Sequence, residues 1–301
     1  MSIFNSLTTA VSGIEAQSTA FTNLSNAIAN SQTVGYKADS TSFQDFVAGS
    51  LVGTASASEG VSQSVSAVTV QHVEKQGAAT ASVDQLAMAI NGNGMFVVAL
   101  PQSIATAGGQ TQFQPMTYFT RNGEFYQNKD GYLVNTSGYY LEGYMAKDGT
   151  VDATGTPEPL QLNDIKFDTT QLPAGTTAPN PLPTFEGISI QSDGSIVASF
   201  SDGSTQLVAK VALASFPDEN GLHAVDGQAY TSTAQSGSPT YGAVGDNGTG
   251  NVSVGYVESS TTNLTSSLTG LIVAQEAYTA NTKVVTVASQ LLQTTIAMIQ
   301  E

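Results

Sequence analysis

Apolar residues at both ends of the chain repeat at the spacing that gives a helix one apolar stripe. In residues 1–30, and again in residues 259–301, the repeat alternates between three and four residues. This spacing predicts two amphipathic helices with matching seams, of the kind that pair in a coiled coil. The predicted seam residues are Leu7, Val11, Ile14, Phe21, Leu24, Ile28, Leu264, Leu268, Leu271, Tyr278, Val285, Leu292, Ile296 and Ile299.

The other faces of these helices carry almost no charge. Before residue 37 the one charged residue is Glu15, and after residue 258 the charged residues are Glu276, Lys283 and Glu301. Small uncharged residues fill these faces and permit close packing against several neighbours at once. The pattern favours ends that pair with each other and with copies of the chain, so that the seam is a polymerisation seam. The alternative is that both helices pack on the chain's own core.

Between the two ends, the pattern changes to short apolar runs separated by turn residues. Asn-Gly and Asp-Gly pairs between strand-like runs are the strongest short cue for a β-hairpin. We therefore expect a discontinuous, mainly antiparallel β domain from residues 77–147 and 187–258, and an α+β fold class. The turn pairs are Asn91-Gly92, Asn122-Gly123, Asp130-Gly131, Ser137-Gly138, Asp193-Gly194 and Asp202-Gly203.

Two further segments differ in composition. Residues 31–76 are rich in Ser, Ala, Gly and Val and predict an extended connector. Residues 148–186 hold six of the ten prolines, which indicates a Pro-rich insert, either a reduced outer domain or a linker. Residues 1–30 and 259–301 would then form a terminal helical polymerisation domain beside the β domain.

The charge balance limits the partners of the chain. It carries 24 acidic and 8 basic residues among 301, a formal net charge of −16. A chain this acidic is repelled by nucleic acid and by anionic membrane surfaces, so we predict neither as a partner. Because the first cation is Lys37, the start lacks the basic region of a cleavable signal peptide, and no apolar run reaches the roughly 18 residues of a membrane span. These rules predict a cytoplasmic protein unless a route without signal cleavage exports it.

Candidate catalytic and metal-binding residues are sparse. The chain has no cysteine and two histidines, His72 and His223, which lie far apart in the sequence. A thiolate metal site is therefore impossible, and neither histidine has a second ligand at the usual spacing. The segment from Asp246 to Gly250 has the oxygen-rich composition of a calcium loop, but no bidentate Glu follows at the required distance. We predict no enzyme, no cofactor and no metal site.

Several blocks of sequence, taken in order, are similar to the bacterial flagellar rod and hook family. The N-terminal match is LSNAIAN at residues 24–30, followed by TVGYK at residues 33–37. The central match consists of residues 86–98 and 119–125, and the terminal match consists of residues 272–285. Because the blocks cover both ends and the middle, the chain resembles this family throughout, and most closely its hook members.

Two positions depart from the family pattern. Asn263 stands where the family usually has an acidic residue before the last helix, and asparagine can still cap that helix. Glu276 stands where the family often has Arg, which reverses the charge at that position. The choice between hook and rod depends on the middle of the chain, where residues 198–206 and 211–216 and an insert after Tyr144 look more like hook.

The resemblance implies a structural subunit of the flagellar hook, which forms a curved, flexible tube and transmits motor torque to the filament as a universal joint. It also implies export by the flagellar type III apparatus without a cleaved signal peptide, and an extracellular location in the flagellum. Besides copies of the chain, the implied partners are the hook cap, the distal rod and the hook–filament junction proteins. Two alternatives stay open: a flagellar distal rod subunit, and a secreted acidic adhesin.

Overall fold

The computed structural model of the protein describes residues 3–47, 62–103, 111–147, 149–153, 155–162, 165, 168, 171, 182–246 and 248–299. The chain divides into two units. The helical unit comprises Met1–Ser31, Lys37–His72 and Thr262–Glu301, and the β unit comprises Gln32–Tyr36 and Val73–Thr261. Each unit therefore takes segments from distant parts of the sequence.

The helices are α1 (Ile3–Ala29) and α2 (Leu264–Ile299). The strands are β1 (Ser40–Val47), β2 (Ser62–Val70), β3 (Ala79–Ala81), β4 (Met88–Asn91), β5 (Met95–Ser103), β6 (Gln112–Thr120), β7 (Phe125–Gln127), β8 (Leu133–Asn135), β9 (Tyr140–Lys147), β10 (Thr150–Val151), β11 (Glu158–Pro159), β12 (Phe185–Ile190), β13 (Ser195–Phe200), β14 (Thr205–Ser215), β15 (His223–Val225), β16 (Ala229–Thr231), β17 (Thr240–Ala243), β18 (Asn251–Val254) and β19 (Tyr256–Glu258).

The helical unit contains α1, α2 and the antiparallel hairpin β1–β2. Asn263 caps α2, because its side-chain oxygen accepts a hydrogen bond from the backbone N–H of Ser266 at 3.1 Å. This contact confirms the capping expected of Asn263. The hairpin is tied to α1 by Asn23, whose Nδ2 donates to the hydroxyls of Thr41 and Thr69, both at 2.9 Å.

This hairpin lies within the predicted connector, residues 31–76. Alternating residues from Val65 to Val70 pair in register with Ser40 to Asp45. Cross-strand pairs of this kind stabilise a ribbon, so the described part of the segment is more regular than an extended connector. Residues 48–61 lie outside the described residues.

The β unit is built around one large antiparallel sheet. In the described parts of the chain, thirteen strands belong to this sheet, and its central order is β12-β13-β14-β9-β5-β6-β16-β15. Two separate pairs, β18 with β4 and β19 with β3, are also antiparallel. The mainly antiparallel β domain predicted from the turn spacing is therefore confirmed.

Large apolar side chains cover both faces of this sheet. Along β5, Phe96 and Val98 enter one core, whereas Met95 and Val97 enter the other. This alternation follows from the two-residue period of a strand. A strand that is buried on both faces is apolar at successive positions, which explains the continuous apolar run in the sequence of β5.

The Pro-rich insert, residues 148–186, begins at the side of this sheet. Strands β10 and β11 both pair with β9, with Val151 opposite Ala146 and Glu158 opposite Gly143. Residues 172–181 lie outside the described residues. The choice between a reduced outer domain and a linker therefore stays a prediction.

Four of the six predicted turn pairs connect strands that pair with each other. They are Asp130-Gly131, Ser137-Gly138, Asp193-Gly194 and Asp202-Gly203. The hairpin expectation is wrong at Asn91-Gly92, since β4 pairs with β18, and at Asn122-Gly123, since β7 pairs with β8. A Cβ on Gly123 would collide with the carbonyl oxygen of Met88, so this glycine permits a close approach of two backbones.

Candidate polymerisation surface

The two helices lie antiparallel and touch through small residues. A Cβ added to Gly13 would lie 2.8 Å from the side-chain nitrogen of Asn281, and one added to Gly270 would lie 3.3 Å from a methyl carbon of Leu24. Both contacts belong to one antiparallel register, in which later residues of α1 lie level with earlier residues of α2. Glycine at these positions lets the two helices approach closely.

Small residues also occupy the most buried positions of both helices. These positions are Ala10, Ala16, Ala20 and Ala27 in α1, and Ser267, Ala274 and Ala288 in α2. In the register of the glycine contacts, Ala20 lies level with Ala274, and Ala27 lies level with Ser267. The helix pair therefore buries a narrow stripe of methyl and hydroxyl groups.

Most of the predicted seam residues lie beside this stripe. Six of them are exposed: Val11, Phe21, Leu264, Leu268, Tyr278 and Ile296. Seven are partly buried: Leu7, Ile14, Leu24, Ile28, Leu271, Val285 and Leu292. The side chain of Ile299 is outside the described residues. A coiled coil through the whole seam is not confirmed, because alanine and glycine bring the helices together along a neighbouring stripe. The role of the seam in polymerisation stays a prediction.

A groove of about 470 Å³ lies between the two helices on one flank of the pair. Its lining residues are Gln17, Ser18, Phe21, Leu271, Ala274, Gln275 and Tyr278. Phe21 and Tyr278 are each 44% exposed, so large aromatic side chains in this groove face water in the single chain. Exposed apolar groups gathered at a groove are typical of an interaction site.

Charged groups are scarce on this surface. Glu15 is the one charged residue in the sequence of α1, and Glu276 and Lys283 are the charged residues of α2. Threonine hydroxyls of α2 bond to its own backbone, as when Thr279 Oγ1 donates to the Gln275 carbonyl oxygen at 2.9 Å. The groove can therefore be covered by a second neutral surface without the cost of removing a charge from water.

The two histidines occupy different units of the chain. His72 Nε2 lies 2.9 Å from the hydroxyl of Ser40. It is also close to Asp39, where burial raises the pKa of the carboxyl while the charge of His72 opposes that rise. His223 is exposed in β15. Among the described residues, no group of three or more His, Asp or Glu side chains could hold a metal ion.

A buried ion pair in the β unit joins distant parts of the chain. Nη1 of Arg121, which follows β6, lies 3.5 Å from Oε2 of Glu258 in β19, and each side chain is 2% exposed. Arg121 Nη2 donates to the carbonyl oxygen of Gly92 at 3.0 Å, and Glu258 Oε1 accepts from the N–H of Gly77 at 2.7 Å. Additional hydrogen bonds of this kind are what a buried ion pair needs to be stable.

The segment that follows α1 reaches the same ion pair. The N–H of Gly35 donates to the carbonyl oxygen of Glu258 at 2.8 Å. Gly35 has a φ of +72°, and a Cβ there would lie 2.7 Å from the backbone nitrogen of Asn122. A glycine meets both requirements and other residues do not. This position explains the glycine of the TVGYK block in physical terms.

Sequence reasoning missed this ion pair. Gly35 was expected to supply the backbone freedom of a turn after α1, whereas Arg121 was named only within a block that resembles the family, and Glu258 was not singled out. One signal was available, because Arg121 lies between the apolar end of β6 and a glycine. A buried arginine is almost always paired, so an acidic partner could have been sought. Its identity could not be found, since the two residues lie far apart in the sequence.

A second buried carboxyl group lies in β9 of the β unit. Glu142 is 8% exposed, and its burial, together with repulsion from Glu158, raises its pKa to about 7. Burial, and to a lesser extent the charge of Glu142, also raises the pKa of Tyr241. Because burial favours the neutral form of a carboxyl group, we expect the stability of the β unit to depend on pH near neutrality.

Comparison with known protein families matches both the β unit and α2. The family described as "Flagellar hook protein FlgE/F/G D1 domain" matches residues 89–198. The family described as "Flagellar basal body rod FlgEFG protein C-terminal" matches residues 253–298. The first match covers much of the large sheet, and the second covers β19 and nearly all of α2.

Similar proteins cover almost the whole chain. The flagellar basal-body rod protein FlgG of Caulobacter vibrioides is 31% identical over 299 residues, which are 96% of this chain and 97% of that protein. FlgG of Bacillus subtilis is 27% identical over 300 residues, 97% of each chain. The flagellar hook protein FlgE of Brucella suis is 25% identical over 405 aligned positions, which cover 97% of this chain and 98% of that protein.

These matches define a class of structural, non-enzymatic proteins of the flagellar basal body and hook. The chain belongs to the flagellar rod and hook protein family, whose subunits self-polymerise. The similarity extends over both units, so the α1–α2 surface belongs to a chain that associates with copies of itself.

A solved structure also aligns with part of the chain. The flagellar hook protein FlgE2 of Helicobacter pylori aligns with 60% of this chain and 100% of its own, at 12% identity and a TM-score of 0.40. Within the described residues, no helix has the length and the apolar character needed to cross a membrane.

Proposed function

We propose that this chain is a structural subunit of the bacterial flagellar hook. Its copies polymerise into a curved, flexible tube that transmits motor torque to the filament as a universal joint. Family membership supports a structural, self-polymerising role. The hook assignment is the finer step, and it draws on the middle of the sequence.

The packing of α1 against α2 is the observation that carries the proposal. The helices bury small residues such as Ala20 and Ala274, while Phe21, Leu271 and Tyr278 surround an open groove. Full burial of one large apolar side chain contributes about 1.5–3 kcal/mol. Contacts with other copies can therefore supply stabilisation that the single chain lacks.

The hook assignment is supported by strands β13 and β14. Residues 198–206, which look like the hook pattern, form the hairpin around Asp202-Gly203. Residues 211–216 continue β14, which pairs with β9, β5 and β17 at the centre of the sheet. The part of the sequence that looks most like hook is therefore central to the β unit.

The proposal includes a location and partners. The chain is exported by the flagellar type III apparatus without a cleaved signal peptide, and it assembles outside the cell. Its partners are copies of itself, the hook cap, the distal rod and the hook–filament junction proteins. The net charge of −16 favours neither nucleic acid nor an anionic membrane surface as a partner.

A distal rod subunit is the second candidate, and the length of the relatives favours it. The FlgG proteins align over 299 and 300 residues without long gaps. The hook protein of Brucella suis aligns over 405 positions, so it contains segments that this chain of 301 residues lacks. A straight rod and a curved hook require different contacts between copies, and a direct test can separate them.

Electron microscopy of cells that lack only this gene provides the test. The hook assignment predicts basal bodies with complete rods and no hook. Truncated rods would establish the distal rod subunit instead. Ordinary flagella on motile cells would contradict both assignments and would favour the secreted adhesin.

A substitution in the groove tests the polymerisation surface itself. Leu271→Asp places a negative charge in the groove. Ile28→Asp places the same charge at a partly buried seam position of α1. We expect either variant to abolish assembly while the β unit stays folded, because burial of an unpaired carboxylate between copies is unfavourable. The control is Gln290→Asp, which adds the same charge at an exposed position of α2. Secreted, assembled tubes of either seam variant would contradict the placement of the surface.

A further inference from the structure

One flank of α2 carries a second row of exposed apolar side chains. Val273, Val284, Val287 and Leu291 repeat at helical spacing and are between 46% and 62% exposed. At about 100° per residue, this row lies on the opposite flank of α2 from Leu271. We call these four residues the ridge, and we call the cavity lined by Phe21, Leu271 and Tyr278 the groove.

The ridge and the groove lie on opposite flanks of one helix pair. The stripe through Ala274 and Ala288 faces α1 and separates them. On the ridge side, α1 is covered by the hairpin β1–β2 through Asn23 and Ser12. The ridge itself is exposed within the described residues. A single chain therefore has an apolar ridge on one flank of the helix pair and an apolar groove on the other.

We propose that the ridge of one copy packs into the groove of the next copy, as a heterologous contact repeated around the polymer. This inference rests on the proposed function, since it names which surfaces meet when the chain self-associates. A contact between two different patches repeats without limit and builds rings or helical assemblies. A contact of one patch with itself would stop at a dimer.

Charge supports a second copy as the occupant. Each chain has a formal net charge of −16, so two copies repel each other wherever their acidic surfaces meet. The ridge and the groove lining contain no charged residue. Glu276 lies three residues from Val273, and Lys283 lies four residues from Val287, so both charges border the ridge. Their charges are opposite in sign, so they add no net charge to this flank. Copies can therefore approach through these two flanks at low electrostatic cost.

The sizes of the two surfaces are compatible. The ridge from Val273 to Leu291 is about 27 Å long at 1.5 Å per residue. The groove holds about 470 Å³, which is enough for several aliphatic side chains. Helices commonly pack with the side chains of one helix inserted into the spaces between side chains of the other. Val284 and Val287 lie near the middle of the ridge, and we place them against Phe21 and Tyr278 of the neighbour.

Cysteine cross-linking in the assembled polymer tests the pairing, because the chain contains no cysteine of its own. The double variant Ser18→Cys, Val287→Cys, which keeps both groove aromatics, is assembled in cells, and the purified polymer is treated with a short bismaleimide. We expect a ladder of covalent oligomers on a denaturing gel. The two single variants are the controls, and each should stay a monomer on the gel. A link within one chain cannot produce the ladder, because it joins no second copy.

Each other outcome overturns the proposal. An assembled double variant without a ladder would contradict the pairing and leave the proposed function intact. Dimers from Val287→Cys alone would show that ridge meets ridge. If the unmodified chain forms no polymer in cells, the proposed function fails together with the pairing.

A charge on the ridge gives a second, independent readout. Val287 is 54% exposed, so Val287→Asp should leave the folding of the single chain unchanged. We expect it to reduce the yield of polymer at least tenfold, whereas Gln290→Asp on the outer face of the same helix should leave the yield unchanged. Equal yields from both variants would contradict a ridge contact.

Discussion

The β unit and the helical unit differ in the size of the side chains that they bury. In the β unit, Phe96, Phe119 and Phe200 are at most 1% exposed, and they fill cores on both faces of the large sheet. In the helical unit, the buried residues are mainly alanines, while Phe21 and Tyr278 face water. A large buried side chain contributes more to stability than a methyl group does. The β unit therefore completes its own core, whereas we expect the helical unit to be completed by other copies.

Matched phenylalanine substitutions should separate the two units most clearly. Phe96→Ala removes a fully buried ring and should lower the free energy of unfolding by about 3–5 kcal/mol. Phe21→Ala removes a half-exposed ring and should change the stability of the single chain by less than about 1 kcal/mol, while assembly is lost. Urea unfolding followed by circular dichroism, together with electron microscopy, measures both effects. Equal loss of stability in the two variants would contradict the comparison.

The buried ion pair should be nearly as sensitive. Glu258→Ala leaves Arg121 buried without its carboxylate, and we expect a loss of about 3–5 kcal/mol in the free energy of unfolding. Glu186→Ala in β12 is the control, since Glu186 is exposed and its removal should have little effect. Equal midpoints of thermal unfolding for the two variants would exclude a stabilising role for the ion pair.

The stability of the β unit should depend on pH through Glu142. Its pKa is about 7 in the folded chain and 4.5 for the ordinary group, so the folded state holds a proton that the unfolded state loses. This contribution to stability is therefore full below about pH 4.5, and about 3 kcal/mol is lost as the pH rises from there through 7. Glu142→Gln should remove this part of the dependence, as measured by urea unfolding between pH 5 and 8. The Glu186→Gln control should keep the slope of the unmodified chain, since Glu186 is exposed. A Glu142→Gln variant with that same slope would contradict the burial of the charge.

The smallest expected effect lies in the contact between the helices. Gly270→Leu adds a side chain where a Cβ already lies 3.3 Å from Leu24, and overpacking of this kind costs about 1–3 kcal/mol. Thr279→Leu is the control at an exposed position of α2. Thermal unfolding followed by the helical circular dichroism signal should show the difference. If Gly270→Leu is as stable as the control, then the helices do not pack closely at Gly270.

Local patterns in the sequence predicted the elements well. The three-four repeat predicted α1 and α2, and Asn263 was expected to cap α2, as it does. Asp130-Gly131 and Asp202-Gly203 predicted hairpins that form, because a short turn depends on local backbone preferences. At Asn122-Gly123 the same cue failed, since the glycine is required by the backbone of Met88, which is distant in the sequence.

The contact face of the helices could not be predicted from the same repeat. The seam through Leu264 and Leu268 was predicted as the contact face because it carries the largest apolar residues. That prediction assumes that the largest apolar side chains are the ones buried between the helices. The structure instead buries the stripe through Ala274 and Ala288. A second stripe, made of small residues, also repeats at helical spacing in the sequence. Periodicity alone does not say which of the two stripes packs against the other helix of the same chain. The pairing of Arg121 with Glu258 likewise depends on the tertiary fold.

Electron cryomicroscopy of the assembled polymer, at a resolution that shows side chains, tests the central claim most directly. We predict that Phe21, Leu271 and Tyr278 are buried against another copy, while Ala20 and Ala274 stay buried between α1 and α2 of one chain. A polymer in which the groove faces solvent and the copies meet through other surfaces would contradict this account.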